Sequence, residues 1–201
     1  MNKFEVRNYF DYLYTKKLDL RTDLIMNSCR SMDLFIRDQF KNDPQNYIGE
    51  APLSTKLFTS YNILMYPLPG MFELYHEIKK AYRQFVQNDE PAYVQSWLNV
   101  YNQGDKIDWH GHWEPQFNGW HGFYCVNVEP GSYTEYKIPL TEETINIDSY
   151  NNLLVLGKSD GDLHRSSPWH DSRIPRVTIA FDILPARHID PLKDINHWIP
   201  L

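Results

Sequence analysis

Disulfides are the first thing this sequence cannot offer. It holds only two cysteines in 201 residues, Cys29 and Cys125, too few for a disulfide framework. Both read as buried free thiols. Long apolar runs are missing too, and none approaches the length of a membrane span. The opening MNKFEVRNYFDYLY has no uninterrupted apolar core of the kind a signal peptide needs, so a cytoplasmic setting is expected and membrane partners are not. Positive charge is in short supply. The formal net charge of −6 disfavours a general grip on nucleic acid, although a local basic groove stays compatible with it. Internal repeats and low-complexity segments are also absent.

Aromatic residues are plentiful, at 15 % of the chain with 14 Tyr and 6 Trp. That composition favours broad β surfaces and a deep pocket over a helical bundle. A chain of this length suits one domain, 1–201, with enough residues to bury a sizeable core. The first 20 residues show no clean period and read as an extended lead-in. Thr22-Asp23 caps a helix running to about Phe40, with Leu24, Ile25, Met32, Phe35, Ile36 and Phe40 available for one face. Residues 44–70 read as irregular, with one short strand over Tyr61–Tyr66. Pro69-Gly70 opens a second helix, whose Met71, Leu74, Tyr75, Ile78, Tyr82 and Phe85 form a packing stripe.

From Tyr93 the pattern turns to short β-type runs at 93–102, 106–113, 120–128, 132–138, 144–148, 152–158, 162–167 and 175–184, separated by turn signals. Evenly spaced strands of this kind predict a jelly roll or related barrel. The fold class is therefore α+β, mainly β. A helical support region (1–90) buttresses one sheet of a β core (93–184), and a tail (185–201) follows. The apolar helix faces need that sheet, so no domain boundary is expected.

Two stretches carry candidate chemistry. The first is Asp108-Trp109-His110-Gly111-His112. On a strand, Asp108, His110 and His112 line one side. Alternate residues lie roughly 7 Å apart, so a shared metal ion takes either 108 with 110 or 110 with 112. Imidazole suits zinc, copper, iron and nickel. The second stretch runs from Asp162 through His164 and Pro168 to Arg176 and Asp182. Val177, Ile179, Phe181 and Ile183 share one strand face; Arg176, Thr178, Ala180 and Asp182 share the other. Arg176 with Thr178 makes a good carboxylate clamp, because a guanidinium gives two parallel charge-assisted bonds and the hydroxyl adds a third.

The order of these parts resembles the iron(II)- and 2-oxoglutarate-dependent dioxygenases, most of all a small bacterial and bacteriophage branch. The matching residues are Trp97-Leu98-Asn99, His110-Gly111-His112, Gly122-Phe123-Tyr124-Cys125, and His164 to Pro168 with Arg176, all within residues 95–184. The resemblance implies a double-stranded β-helix in which His110, His112 and His164 hold Fe(II). It implies that 2-oxoglutarate chelates the metal and places its far carboxylate on Arg176 and Thr178, and that O2 completes the site. The outcome would be hydroxylation of a substrate with release of succinate and CO2. Asn99 and Tyr124, with Tyr101 beside Asn99, are further candidates for co-substrate contact.

The sequence departs from the family pattern at three places. His112 stands where a carboxylate is usual, so the triad is either three histidines or Asp108 with His110 and His164. His121 and Cys125 replace a usual Ser and Tyr. His121, opposite in strand parity to Tyr124, is expected outside the barrel; Asp182 is assigned no role. His170, His188 and His197 are expected in solvent, and Trp109, Trp113 and Trp120 around the mouth of the site. Two other function classes stay open. One is a cupin-like three-His dioxygenase or isomerase that does not use 2-oxoglutarate; the other is a jelly-roll binding module without catalysis. The substrate is left open, as is the oligomeric state, a homodimer included.

Overall fold

The structure is a computed structural model and describes residues 6–9, 11–46, 50–87, 89–139, 143–190 and 197–201. Strands β1 (Val6–Tyr9) and β2 (Leu13–Lys17) precede helix α1 (Thr22–Gln39), a single-turn helix α2 (Leu53–Lys56) and helix α3 (Met71–Val86). The β core follows as β3 (Ala92–Tyr101), β4 (Trp120–Asn127), β5 (Tyr133–Lys137), β6 (Thr144–Asp148), β7 (Leu153–Lys158), β8 (Leu163–Ser166) and β9 (Arg176–Pro185). A two-residue strand, β10 (Ile199–Pro200), pairs with β3.

The strands form two antiparallel sheets. The larger has the order β1-β2-β7-β4-β9-β3-β10 and the smaller the order β6-β5-β8. This is the jelly-roll arrangement expected from the strand spacing. The β1–β2 hairpin corrects the reading of the first 20 residues as a lead-in, because β2 pairs with β7 along its whole length. The expected strand over 106–113 is not continuous. His110 alone forms a bridge there, exchanging both backbone bonds with His164 at 3.1 and 2.9 Å. The expected strand over Tyr61–Tyr66 is instead a 3₁₀ turn at Ile63–Met65. Asn62 imposes it by accepting from the Leu64 N–H while donating to the carbonyls of Val94 and His197.

Both helices cover one face of the large sheet. Ile25, Cys29, Met32 and Ile36 are buried on α1, and Leu74, Ile78 and Tyr82 on α3, at the 3-to-4-residue spacing of a helical stripe. Leu24 and Phe35, expected in that face, are partly exposed at its rim. Gly70 has φ +84°, and a Cβ there would lie 2.4 Å from Ile25, so glycine lets the start of α3 close on α1. Cys29 and Cys125 are free and buried, as expected.

Strand β9 runs through the middle of the large sheet with every residue buried. Its odd-numbered residues pack toward the helices and its even-numbered residues face the small sheet. Cross-strand register repeats this alternation on both neighbours. Tyr101 opposes Arg176, Asn99 opposes Thr178, and Gln95 opposes Asp182 on β3. His121 opposes Asp182, and Phe123 opposes Ala180, on β4. Directly opposed residues share a face, so these side chains together make the floor of one cavity.

Candidate metal and dicarboxylate site

The cavity between the sheets has a volume of about 490 Å³, within the usual range for a small-ligand site. Its lining includes His110, His112, His164, Arg176, Thr178 and Asn99. Five of these reach it from β3, β8, β9 and the bridged segment at 110, whereas His112 lies just past that bridge. Trp109, with its ring under the Arg165 guanidinium at 4.6 Å, is outside.

Ligand-capable atoms of His110, His112 and His164 all lie within 4.8 Å of one another. The Nε2 atoms of His112 and His164 are 3.4 Å apart. The three rings are turned alike. His110 Nδ1 lies 2.8 Å from the Asp108 carbonyl oxygen, His112 Nδ1 lies 2.5 Å from Asp182 Oδ1, and His164 Nδ1 lies 3.7 Å from Asp162 Oδ2. Each Nδ1 therefore faces an acceptor and leaves Nε2 for the interior. Bonds of about 2.1 Å at near-right angles set ligand nitrogens roughly 3 Å apart, so the cluster fits a first-row divalent ion with positions left open.

Electrostatics favours the ligand-ready form of two rings. Burial, reinforced by His112, pushes His110 down to about 4. Burial, with His110 beside it, holds His164 well below the ordinary histidine value. Burial opposes the charged form of His112 as well, but Asp182 outweighs it and the pKa rises.

Asp108 is not placed to supply a ligand carboxylate. Its side chain is largely exposed and pairs with Lys106 at 3.2 Å. It serves the site through its backbone oxygen, because the bridge at His110 turns only the rings of 110 and 112 inward.

Arg176 is 1 % exposed, and among the described residues it has no carboxylate partner. Its bonds are long and neutral, to the Ser167 carbonyl at 3.5 Å, Thr134 Oγ1 at 3.5 Å and Ser149 Oγ at 3.4 Å, while Nε has none. Tyr101 lies beneath the guanidinium at 5.1 Å. Burying a cation without a counter-ion is costly, so this end of the cavity would favour a negatively charged group. Thr178 accepts from Asn99 Nδ2 at 3.2 Å, and Asn99 Oδ1 accepts from Thr55 at 2.6 Å. The Thr178 hydroxyl thus sits between Asn99 and Tyr101 on the cavity floor.

Several expectations change. Tyr124 is on the helical side of β4, opposite Ile179, and donates to Asn152 Oδ1 at 2.7 Å. It cannot reach a co-substrate in the cavity. The same alternation puts His121 inside, against the reading from the sequence. His121 is 1 % exposed and lies 3.0 Å from Asp162 Oδ2. Asp182, given no role, touches His112 and accepts from Trp113 Nε1 at 2.9 Å. Trp120 packs on Tyr14 on the helical side; Trp113 lines the cavity as expected, joined by Trp97 and Trp198. His197 lines the cavity and His188 packs on Phe117, whereas His170 is exposed. Thr55, Phe58 and Thr59 also line it. No local pattern in the irregular 44–70 segment marked them.

No protein-family model matches this chain, and no curated protein does. Solved structures do match. A Pseudomonas putida prolyl-4-hydroxylase superposes with TM-score 0.53 at 11 % identity, covering 86 % of this chain and 92 % of that one. AviO1 from Streptomyces viridochromogenes Tue57 gives 0.58 at 15 % identity, with 90 % and 92 % covered. SnoK, a non-heme alpha-ketoglutarate-dependent carbocyclase, gives 0.56 at 9 % identity, with 87 % and 79 % covered. The chain therefore shares the two-sheet jelly-roll fold of these solved structures. Among the described residues no helix is long and apolar enough to cross a membrane.

Proposed function

We propose that this protein is an iron(II)- and 2-oxoglutarate-dependent oxygenase that hydroxylates a substrate and releases succinate and CO2. One observation carries the reading: a buried guanidinium with no carboxylate partner among the described residues shares a cavity with three convergent imidazoles. The spacing supports a dicarboxylate between them. On β5, Tyr136 pairs with His164 and Thr134 touches Arg176. Positions two apart on a strand are roughly 7 Å apart, a span suited to a five-carbon diacid held at both ends.

In this reading His110, His112 and His164 hold the metal through Nε2. Arg176 receives the far carboxylate in a two-point, charge-assisted contact, with Thr178 donating a third bond. Tyr101 closes the floor beneath it, and its burial raises its pKa, so it stays a neutral phenol. Asn99 fixes the Thr178 hydroxyl. Iron with 2-oxoglutarate and O2 supplies the oxidising chemistry. Phe58, Trp97, Trp113 and Trp198 wall the rest of the cavity, exclude water and leave room for a substrate. A three-His enzyme that ignores 2-oxoglutarate would leave Arg176 unexplained.

The test is succinate release from 2-oxoglutarate under air with added iron, across a broad substrate panel, for the native protein and His164→Ala. The expected result is metal-dependent turnover in the first and none in the second. No turnover in the native protein would refute the reading.

A further inference from the structure

The metal set just proposed brings no negative charge, since imidazole is neutral and the usual carboxylate ligand is replaced by His112. Yet two carboxylates are buried directly behind the rings. Asp182 is 4 % exposed and Asp162 is 3 % exposed. Asp182 Oδ1 lies 2.5 Å from His112 Nδ1. Asp162 Oδ2 lies 3.0 Å from His121 Nε2 and 3.7 Å from His164 Nδ1. Neither has a Lys or Arg partner among the described residues. Asp182 Oδ1, Asp162 Oδ2, His121 Nε2 and His164 Nδ1 all lack a well-angled hydrogen bond.

The surroundings are built to keep this arrangement. A Cβ on Gly157 would lie 2.8 Å from His121 Nε2, so only glycine on β7 leaves room for that ring. Trp113 Nε1 satisfies the other oxygen of Asp182 at 2.9 Å. Tyr136 stacks on His164 at 5.0 Å between ring centroids. Asp162 and Gly157 together set where the His121 ring sits, at the back of the site.

We propose that Asp182 and Asp162 are positioning residues that supply the missing counter-charge from behind the ligands, with His121 as the clamp that keeps Asp162 aimed at His164. Each carboxylate accepts a hydrogen bond from the Nδ1–H of one ring, so that ring keeps its proton on Nδ1 and presents Nε2 to the metal. A ligand carboxylate has in effect been moved outward by one imidazole. Groups in this outer position typically change metal affinity by 10–100-fold. The proposal rests on the three-His reading of the site.

The test is Co(II) titration of the metal-free protein, followed by visible absorption. Asp182→Asn and Asp162→Asn keep an acceptor oxygen and remove the charge. Each is expected to weaken Co(II) binding 10–100-fold, and His121→Asn to weaken it by a smaller factor, with the far-ultraviolet circular dichroism of all three unchanged. A purely structural role would lower the unfolding midpoint and leave the affinity alone. Folded Asn variants that bind Co(II) within threefold of the native protein overturn the proposal while the metal site stands. A native protein that takes up neither Co(II) nor Fe(II) overturns the metal reading and this inference together.

A second measurement needs no variant. In the Co(II) form, proton NMR in H2O should show three hyperfine-shifted exchangeable lines, from the Nδ1–H groups of His110, His112 and His164, which vanish in D2O. Absence of the His112 and His164 lines would mean that Nδ1 is not protonated against Asp182 and Asp162, and would overturn the assignment.

Discussion

Replacing Arg176 by methionine should make the metal-free protein more stable while removing its co-substrate. The guanidinium is buried with only long contacts to a carbonyl and two hydroxyls. Replacing a buried ion pair with apolar side chains of similar volume is often neutral or stabilising by about 1–4 kcal/mol, and a buried cation without a partner has less attraction to lose. Thr134 and Ser149 lose weak partners, which takes back part of that gain. A net gain of about 1 kcal/mol raises Tm by roughly 2–4 °C in a chain of this size. The bound state changes in the opposite direction. Two hydrogen bonds to a charged group are together worth about 3–6 kcal/mol, or roughly two to four decades of affinity. Calorimetric titration of 2-oxoglutarate into Mn(II)-loaded Arg176→Met should show that loss, and thermal unfolding without metal should show a Tm equal to or above that of the native protein. Affinity within threefold of native would remove Arg176 from the site. A Tm drop of several degrees would mean the guanidinium is a structural element, and the reasoning from its unpaired burial would be wrong.

Asp108→Ala should leave Co(II) affinity within threefold of native, because only the backbone oxygen of residue 108 meets His110; a larger loss by titration would restore Asp108 as a ligand. Tyr124→Phe should lose about 1 kcal/mol of stability through the bond to Asn152, seen as a lower Tm, with 2-oxoglutarate binding unchanged. Lowering the pH from about 6.5 toward 4 should destabilise the metal-free protein. His110, held down to about 4, and His164, held well below the ordinary histidine value, stay neutral when folded but take up protons when unfolded. The unfolded state then binds more protons, so stability falls as pH falls. His112, raised by Asp182, acts in the opposite sense, with stability that is present at low pH and lost as pH rises. Denaturant midpoints measured across that range check the sum, and a midpoint that rises toward pH 4 would show that the His112–Asp182 pair dominates.

Much of this protein is legible in one dimension because its main signals are short-range. Alternation along Val177–Ile183 put Arg176, Thr178 and Asp182 on one face, and the structure keeps them there. The helical stripe from Met71 to Tyr82 and the strand runs from 120 onward were readable in the same way, since each depends on a period of two or about four residues. Parity is also where the reading failed. Assigning a strand's faces needs one anchored residue, and β4 offers none in its own sequence. The pairing of His121 with Asp182 reverses the expected faces, moving Tyr124 out and His121 in.

Sequence order alone determined which residues are chemically equipped: the histidines at 110, 112 and 164, and Arg176 with Thr178. Only the tertiary structure decided how they are used. Asp108 turns to Lys106 because a single bridge to β8 rotates the rings, and not the carboxylate, inward. Thr55 joins Asn99 and Thr178 across a gap of more than forty residues. Two carboxylates stand behind three imidazoles only because β4, β8 and β9 meet around one cavity. Local periodicity says which way a side chain points from its own strand; sheet register and sheet-on-sheet closure say what it will find there.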